Sequence, residues 1–309
     1  MPKYISHITT ALVGLCHCCS ASFVTFVTRI RYPLTLHGSL SHLTSSPERY
    51  AASLGLTIPE MQHIQNNRIE KSKDLHNTLQ CSELTGPQKH TLKCQHIMEY
   101  GQHPFVCRRC WTYQPICICN YNNVRVHDEL DGIPVQEVIV WTHHDEWGAV
   151  ANTGSVLPLR LKNVSLKLKG LPEHDIWLNE VINNPAVLPL VLWKDQSVAS
   201  PYKQYSIDDL LQQEKQIVLI AVEGTWRNAR RMVTKLGPMG RLALSEQHVH
   251  GWRQSTGSLR PQASSDQACT AEAVIGALVA LGLEKRVGLS VLQLVEKKMD
   301  LTRQYQGHA

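Results

Sequence analysis

The chain has 309 residues, 43% of them hydrophobic, and a formal net charge of +5. That length and composition can bury a substantial core, in one large domain with an appendage or in two domains. The small positive charge permits a polyanionic partner without demanding one, and ten cysteines without a regular framework argue against a disulfide-stapled secreted protein and for a reducing, intracellular setting.

Residues 1–100 read as an N-terminal extension. Up to Ser46 there is no acidic residue, while Lys3, Arg29, Arg31 and many Ser and Thr are present, which is the composition of an organelle transit segment. The expected location is the cytoplasm or nucleus, with mitochondrial import as the alternative this segment suggests. The uncharged stretch from Ile8 to Thr28 has the length of a membrane span, but His17 and repeated Thr and Ser interrupt it. No stable membrane association is expected. Cys16, Cys18 and Cys19 have no partner pair nearby and read as inert thiols. From Pro47 to Tyr100 the chain reads as helical and polar, with breaks near Gly86-Pro87 and Gly101, and carries no site chemistry.

A cysteine cluster follows: Cys107-Arg-Arg-Cys110, then Cys117-Ile-Cys119. Two thiols three apart fit a turn that aims both sulfurs at one tetrahedral ion, and the second pair can close the coordination sphere. Four thiolates leave no open position, so zinc here is expected to be structural, holding a knuckle over 107–119. Arg108, Arg109, Trp111 and Tyr113 offer charge and stacking surface suited to RNA, or are ordinary surface charge and core aromatics.

Val135 to Trp141 predicts a buried strand that runs into Thr142-His143-His144-Asp145-Glu146. Polar groups at the carboxyl end of such a strand lie where open α/β sheets bind ligands. As a metal motif His-His-Asp-Glu is weak, because consecutive residues seldom converge on one ion. Asn152-Thr153-Gly154 then offers two side chains and a tight turn, fit to touch a nucleoside or to cap a helix.

Further strands are predicted over Val187 to Trp193 and Gln216 to Val222, with polar or helical stretches between. This alternation points to a largely parallel sheet covered by helices. Neither G-x-G-x-x-G nor G-x-x-x-x-G-K-[ST] occurs, so a dinucleotide-binding site of the usual kind and a P-loop are both unsupported. Glu223-Gly224-Thr225-Trp226 reads as the turn from the last of these strands into a helix: Gly224 can take a conformation closed to other residues, Thr225 is a good N-cap, and the amides beyond it suit an anion. Arg227, Arg231 and Lys235 then fall at i, i+4 and i+8, a positive stripe opposite Ala229, Met232, Val233 and Leu236. Arg241, His248, His250, Trp252, Arg253 and Arg260 follow and extend a surface suited to phosphate contacts. Near the end, Thr270-Ala-Glu272-Ala273 opens an apolar segment, with Thr270 as N-cap and Glu272 as a first-turn acid.

Taken in order, the cysteine cluster, His143-x-x-Glu146 with Asn152-Thr153-Gly154, Glu223-Gly-Thr-Trp226 and Thr270-x-Glu272-Ala273 resemble the DTW-domain family, named for its Asp-x-Thr-Trp motif. Its members are similar to tRNA-uridine aminocarboxypropyltransferases. Two departures stand out: Glu223 where the family has Asp, and Cys269 where it usually has Ser. The resemblance implies a SPOUT-like α/β fold over residues 101–300, with 301–309 as a tail, that takes S-adenosylmethionine without a glycine fingerprint. It implies transfer of the 3-amino-3-carboxypropyl group to N3 of a uridine in tRNA, releasing methylthioadenosine. Glu223, Thr225 and Trp226 are then the catalytic positions, Asn152, Thr153, Gly154, Gly224, Thr270 and Glu272 the cofactor positions, and Arg227, Arg231 and Lys235 the tRNA contacts. Glu146 and Glu272 are alternative carboxylates for Glu223. A catalytically idle zinc-stabilised RNA-binding paralogue and a SPOUT-like RNA methyltransferase are the rival expectations.

Overall fold

A computed structural model of the chain describes residues 47–101, 103–120, 130, 132–193, 202–237, 239–245, 247–248 and 268–306, all within the compact unit Gly38–Ala309. The transit segment, the Cys16–Cys19 group and the interrupted apolar stretch lie outside the described residues, as do His250, Trp252, Arg253 and Arg260. Among the described residues no helix is long and apolar enough to cross a membrane.

Three helices come first: α1 (Pro47–Ser53), α2 (Ile58–Leu79) and α3 (Gly86–Tyr100). Each of the longer two starts from a capping box, Thr57 with Glu60 and Thr85 with Gln88, in which side chain and backbone satisfy each other's exposed amides. The sheet is built from β1 (Val135–Thr142), β2 (Val164–Leu168), β3 (Val187–Leu192), β4 (Gln204–Tyr205), β5 (Gln216–Glu223) and β6 (Gly240–Leu242). Its order is β2-β1-β5-β3-β6-β4 and every pairing is parallel. The fold is α/β, as the alternation of apolar runs predicts.

The middle strands are apolar throughout because both of their faces are covered. From β5, Ile217, Leu219 and Ala221 enter one core layer, shared with α8 (Thr270–Ala280) and α9 (Lys285–Gln306), while Val218 and Ile220 enter the other. That second layer takes Trp177, Val181 and Ile182 from α5 (Pro172–Asn183), Met232 and Val233 from α7 (Trp226–Lys235), and Leu236 at the C-cap of α7. Two short helices, α4 (Leu157–Arg160) and α6 (Ile207–Leu211), complete the connections.

Three features differ from the sequence expectations. The strands β2, β4 and β6 join the three predicted ones. The described part of the extension is no separate appendage: Tyr50, Ala51 and Met61 form one apolar cluster with Phe105, Ile116 and Tyr305, with Tyr50 edge-on to Phe105 at 5.8 Å. On α3, fully buried Cys94 packs with Leu168 and Leu171 and its thiol donates to Lys169 O at 3.2 Å. Finally, residues 301–306 are not a tail. They are the last turns of α9, and Thr302 and Tyr305 are buried.

Candidate active site

β1 and β5 are neighbours in the sheet, with Thr142 opposite Glu223, so the loops leaving their carboxyl ends start from one place. The His143 amide donates to the Glu223 carbonyl at 2.8 Å and carries the ladder one residue further. Past β5 the chain enters α7 through Thr225, whose Oγ1 accepts from Asn228 N at 3.4 Å, the cap its sequence predicts. Gly224 does not use the left-handed backbone that glycine leaves open to it. A Cβ there would stand at ordinary contact, 3.4 to 3.5 Å, from Ala229, Asn228 and His143, so no strain demands glycine at this turn. Trp226 is 44% exposed, with its ring 6.0 Å from that of Trp193. It offers a flat surface beside the site.

The Asn152-Thr153-Gly154 loop is buried beside this junction. Asn152 shapes it from within, its Nδ2 donating to Glu146 O at 3.3 Å and its Oδ1 accepting from Ser155 N at 3.1 Å. Thr153 Oγ1 accepts from Ala271 N at 3.4 Å, which ties the loop to the first turn of α8. Gly154 lies against Glu223: a Cβ would come to 3.0 Å from Val140 Cγ1, 3.2 Å from Glu223 Oε2 and 3.3 Å from Asn152 Oδ1. Three separated motifs are thus linked through this loop, which touches the buried Glu223 carboxylate, at 8% exposure, through Gly154 and the first turn of α8 through Thr153.

The start of α8 corrects one expectation. Its N-cap is Cys269, one residue before Thr270, and Glu272 reaches back to accept from Cys269 N at 2.8 Å. Glu272 stands three residues after the cap, where its carboxylate closes a capping box, so this acid is committed to the helix end. Of the three carboxylates considered, Glu223 is the one that borders the loop glycine. Glu146 is buried in the first turn after β1.

His143, His144 and Asp145 do converge, against the sequence expectation for consecutive residues: their donor atoms lie within 4.8 Å of one another. His143 Nδ1 accepts from Asp145 N at 3.3 Å, and Asn228 Nδ2 donates to Asp145 Oδ2 at 3.3 Å, which links this turn to α7. Burial pushes both imidazoles below their usual pKa, opposed by the Asp145 carboxylate.

The cysteine knuckle is a compact turn. Cys107 N donates to Thr112 O and Trp111 N to Cys107 O, and Trp111 takes the left-handed backbone, φ 55°, that brings the pair of thiols around. Cys107 and Cys119 are 3.7 Å apart at sulfur, as are Cys110 and Cys117, and all four sulfurs lie within 4.8 Å of one another. A tetrahedral zinc with bonds of about 2.3 Å sets sulfur separations of about 3.8 Å, so the four thiols fit that ion. Hydrogen bonds from neighbouring thiols hold Cys110 well below the usual thiol pKa, while burial pushes Cys117 up to about 11 and the Cys107 and Cys110 thiols push Cys119 up. The flanking aromatics are core residues more than RNA surfaces: Trp111 is buried against Trp147, and Tyr113 stacks on Tyr305 at 4.8 Å. Arg108 donates to Met98 O and Glu99 O at the end of α3. Arg109 is exposed.

Sequence reasoning missed Lys298. It is fully buried in α9, and its ammonium donates to Cys110 O at 2.8 Å, Asn152 O at 2.7 Å and Ser155 Oγ at 2.7 Å. Burial pushes its pKa down to about 7, opposed by Cys110 and Glu223 among others. The basic stripe is largely as predicted: Arg227, Arg231 and Lys235 are exposed, joined by Arg230. Arg241 is not part of that surface. It is fully buried, donating to Met239 O and Val233 O with its guanidinium 4.1 Å from the Tyr202 ring centre.

The DTW domain family model matches residues 104–304, from just before the knuckle to the last turn of α9. No curated protein and no solved structure matches the chain.

Proposed function

The chain belongs to the DTW-domain family, and from that premise we propose that it transfers the 3-amino-3-carboxypropyl group of S-adenosylmethionine to N3 of a uridine in tRNA. Family membership is consistent with a tRNA-modifying transferase. The finer reading is supported by one observation above the rest: the Asn152-Thr153-Gly154 loop joins the Glu223 carboxylate, which leads into the Thr225-capped helix start, to the first turn of α8.

Gly154 has no room for a side chain, so the loop backbone packs close against the Glu223 carboxylate, and the fit to a cofactor rests on donor chemistry: the Thr225-capped α7 amides suit its carboxylate and Glu223 suits its ammonium. When bound, S-adenosylmethionine supplies the electrophilic aminobutyrate carbon and leaves as methylthioadenosine. What the protein contributes is orientation, because three carbons on the sulfonium compete and only placement selects one. In this reading Asn152 and Thr153 hold the loop backbone against the cofactor, and Thr225 with the α7 amides receives its carboxylate. Glu223 either holds the cofactor ammonium or takes the N3 proton as a general base. The knuckle metal is zinc with a structural role, since four thiolates leave no open position. Arg227, Arg230, Arg231 and Lys235 meet the tRNA backbone, and Trp226 provides a stacking surface at the site edge.

Glu223 also favours a second reading, an idle RNA-binding relative, because it is one methylene longer than the family Asp and displaces the carboxylate by about 1 Å. Incubation with tRNA and S-adenosylmethionine, followed by chromatography of the nucleoside by-product, separates the cases. Methylthioadenosine supports the proposal, adenosylhomocysteine indicates methyl transfer, and no by-product with cofactor bound indicates the idle relative.

A further inference from the structure

A lysine on the apolar face of α9 needs a reason, because a methionine or leucine would fill the same space without taking a charge out of water. Lys298 follows Val291, Leu294 and Val295 on that face and precedes Thr302, all of them buried. Its ammonium has three N–H donors, and three acceptors receive them: Cys110 O in the knuckle, and Asn152 O and Ser155 Oγ in the loop beside Glu223. Ser155 Oγ lies within hydrogen-bonding distance of the same two carbonyls, 3.2 Å from Cys110 O and 3.0 Å from Asn152 O, which closes the network.

These contacts join segments that are remote in sequence. On one side stands the backbone of Cys110, whose sulfur belongs to the four-thiol group. On the other stands Asn152, whose amide side chain fixes both Glu146 O and Ser155 N. Two residues further on, Gly154 touches Glu223. Any shift of the Cys110 peptide is therefore felt at the loop through two buried groups, the Lys298 ammonium and the Ser155 hydroxyl that it holds.

We propose that Lys298 is a positioning residue that couples occupancy of the cysteine site to the order of the Asn152–Ser155 loop. Its ammonium orients the Cys110 and Asn152 carbonyls toward one point, so the folded knuckle sets the loop geometry in which a cofactor is received. The inference deepens the function proposed above for this site and rests on that reading only for the identity of the ligand.

The test uses the full chain, metal-loaded and chelator-stripped, as parent, Lys298→Met and Lys298→Arg. Amide hydrogen exchange is followed at residues 107–119 and 152–156, and S-adenosylmethionine affinity is measured by calorimetry. Stripping the parent should raise exchange at 152–156 together with the knuckle and weaken cofactor affinity by about tenfold or more. Loaded Lys298→Met should keep the thiolate-to-cobalt absorption of a four-cysteine site on cobalt substitution, yet exchange at 152–156 as fast as the stripped parent. Stripping it should change the loop no further, and Lys298→Arg, which restores a cation, should recover part of the protection.

A loop in loaded Lys298→Met as protected as in the parent would overturn the proposal. So would a parent loop indifferent to stripping while the knuckle opens. If stripping unfolds the parent throughout, the loaded proteins alone decide the matter. If Lys298→Met does not fold, Ser155→Ala removes one bond from the same node and is read in the same way. A protein that shows the coupled exchange but binds no S-adenosylmethionine would sink the proposed function and leave this coupling intact.

Discussion

The backbone carbonyl of Glu223 accepts a hydrogen bond of 2.8 Å from the amide of His143, so the acid that ends β5 and the histidine that follows β1 are held as neighbours. The Glu223 side chain lies against Gly154, whose Cβ position would stand 3.2 Å from Oε2. If its carboxylate meets an ammonium or an N3 proton, Glu223→Gln should lower turnover by roughly 100-fold with little change in melting temperature. Glu223→Asp, which restores the shorter family side chain, should turn over at least as fast as the parent. Steady-state kinetics of both variants checks this. A fully active Glu223→Gln would move the role to Glu146, since Glu272 already closes the α8 cap.

The sulfur separations of 3.7 Å predict one zinc per chain. Cys110→Ser should abolish metal binding and lower the melting temperature by on the order of 10 °C, because the ion would fix a segment whose Trp111, Ile116 and Ile118 are buried in the core. Elemental analysis and calorimetry of the purified variant give both numbers. Metal-free protein with the parent's stability would mean that these four thiols are structural without an ion.

The exposed cations on α7 carry no acid within the helix, and among the described residues none of Arg227, Arg230, Arg231 and Lys235 forms an ion pair. If they contact phosphates, each change to Ala should weaken tRNA binding and reduce the salt slope of log affinity by about 1 per lost contact. Titrations at several salt concentrations read the slope. An unchanged slope in the combined Arg227→Ala, Arg231→Ala, Lys235→Ala protein would place the tRNA elsewhere.

Burial lowers the folded-state pKa of His143 and His144 below 6.5, the ordinary imidazole value. As pH falls, the unfolded chain takes up protons at these positions before the folded chain does. Stability is therefore full above the unfolded value and is lost as pH drops from 6.5 toward the folded pKa values. His90 and His174 shift the same way, also chiefly through burial. Melting temperature should fall between about pH 7.5 and about pH 5.5, and less steeply in a His143→Asn, His144→Asn protein. Equal slopes would assign the acid sensitivity to other groups.

The long strands were legible because sheets covered on both faces leave uninterrupted apolar runs, as in Ile217 to Val222. β2 escaped notice because Val164-Ser-Leu-Lys-Leu168 sits at the sheet edge with a mixed, half-buried pattern. β4 and β6 are too short to show a period. The cap of α8 was misplaced by one residue because sulfur is an uncommon cap, which moved the reading from Cys269 to Thr270. Lys298 and Arg241 illustrate a deeper limit: a cation reads as solvated until the carbonyls that receive it are known. Lys298 did leave a signal, since it falls on the apolar face that carries Val291, Val295 and Thr302. The packing of α1 and α2 onto Phe105 and Tyr305 left none, because contact between a polar helical segment and a remote aromatic has no local pattern.

The central claim concerns which atom of uridine receives which group. Unmodified tRNA incubated with the protein and S-adenosylmethionine, then digested to nucleosides and analysed by mass spectrometry, answers it directly. The account predicts uridine bearing the 3-amino-3-carboxypropyl group at N3, formed by the parent and lost in step with cofactor binding in site variants. A methylated nucleoside, or tRNA left unchanged by protein that binds both cofactor and tRNA, would contradict it.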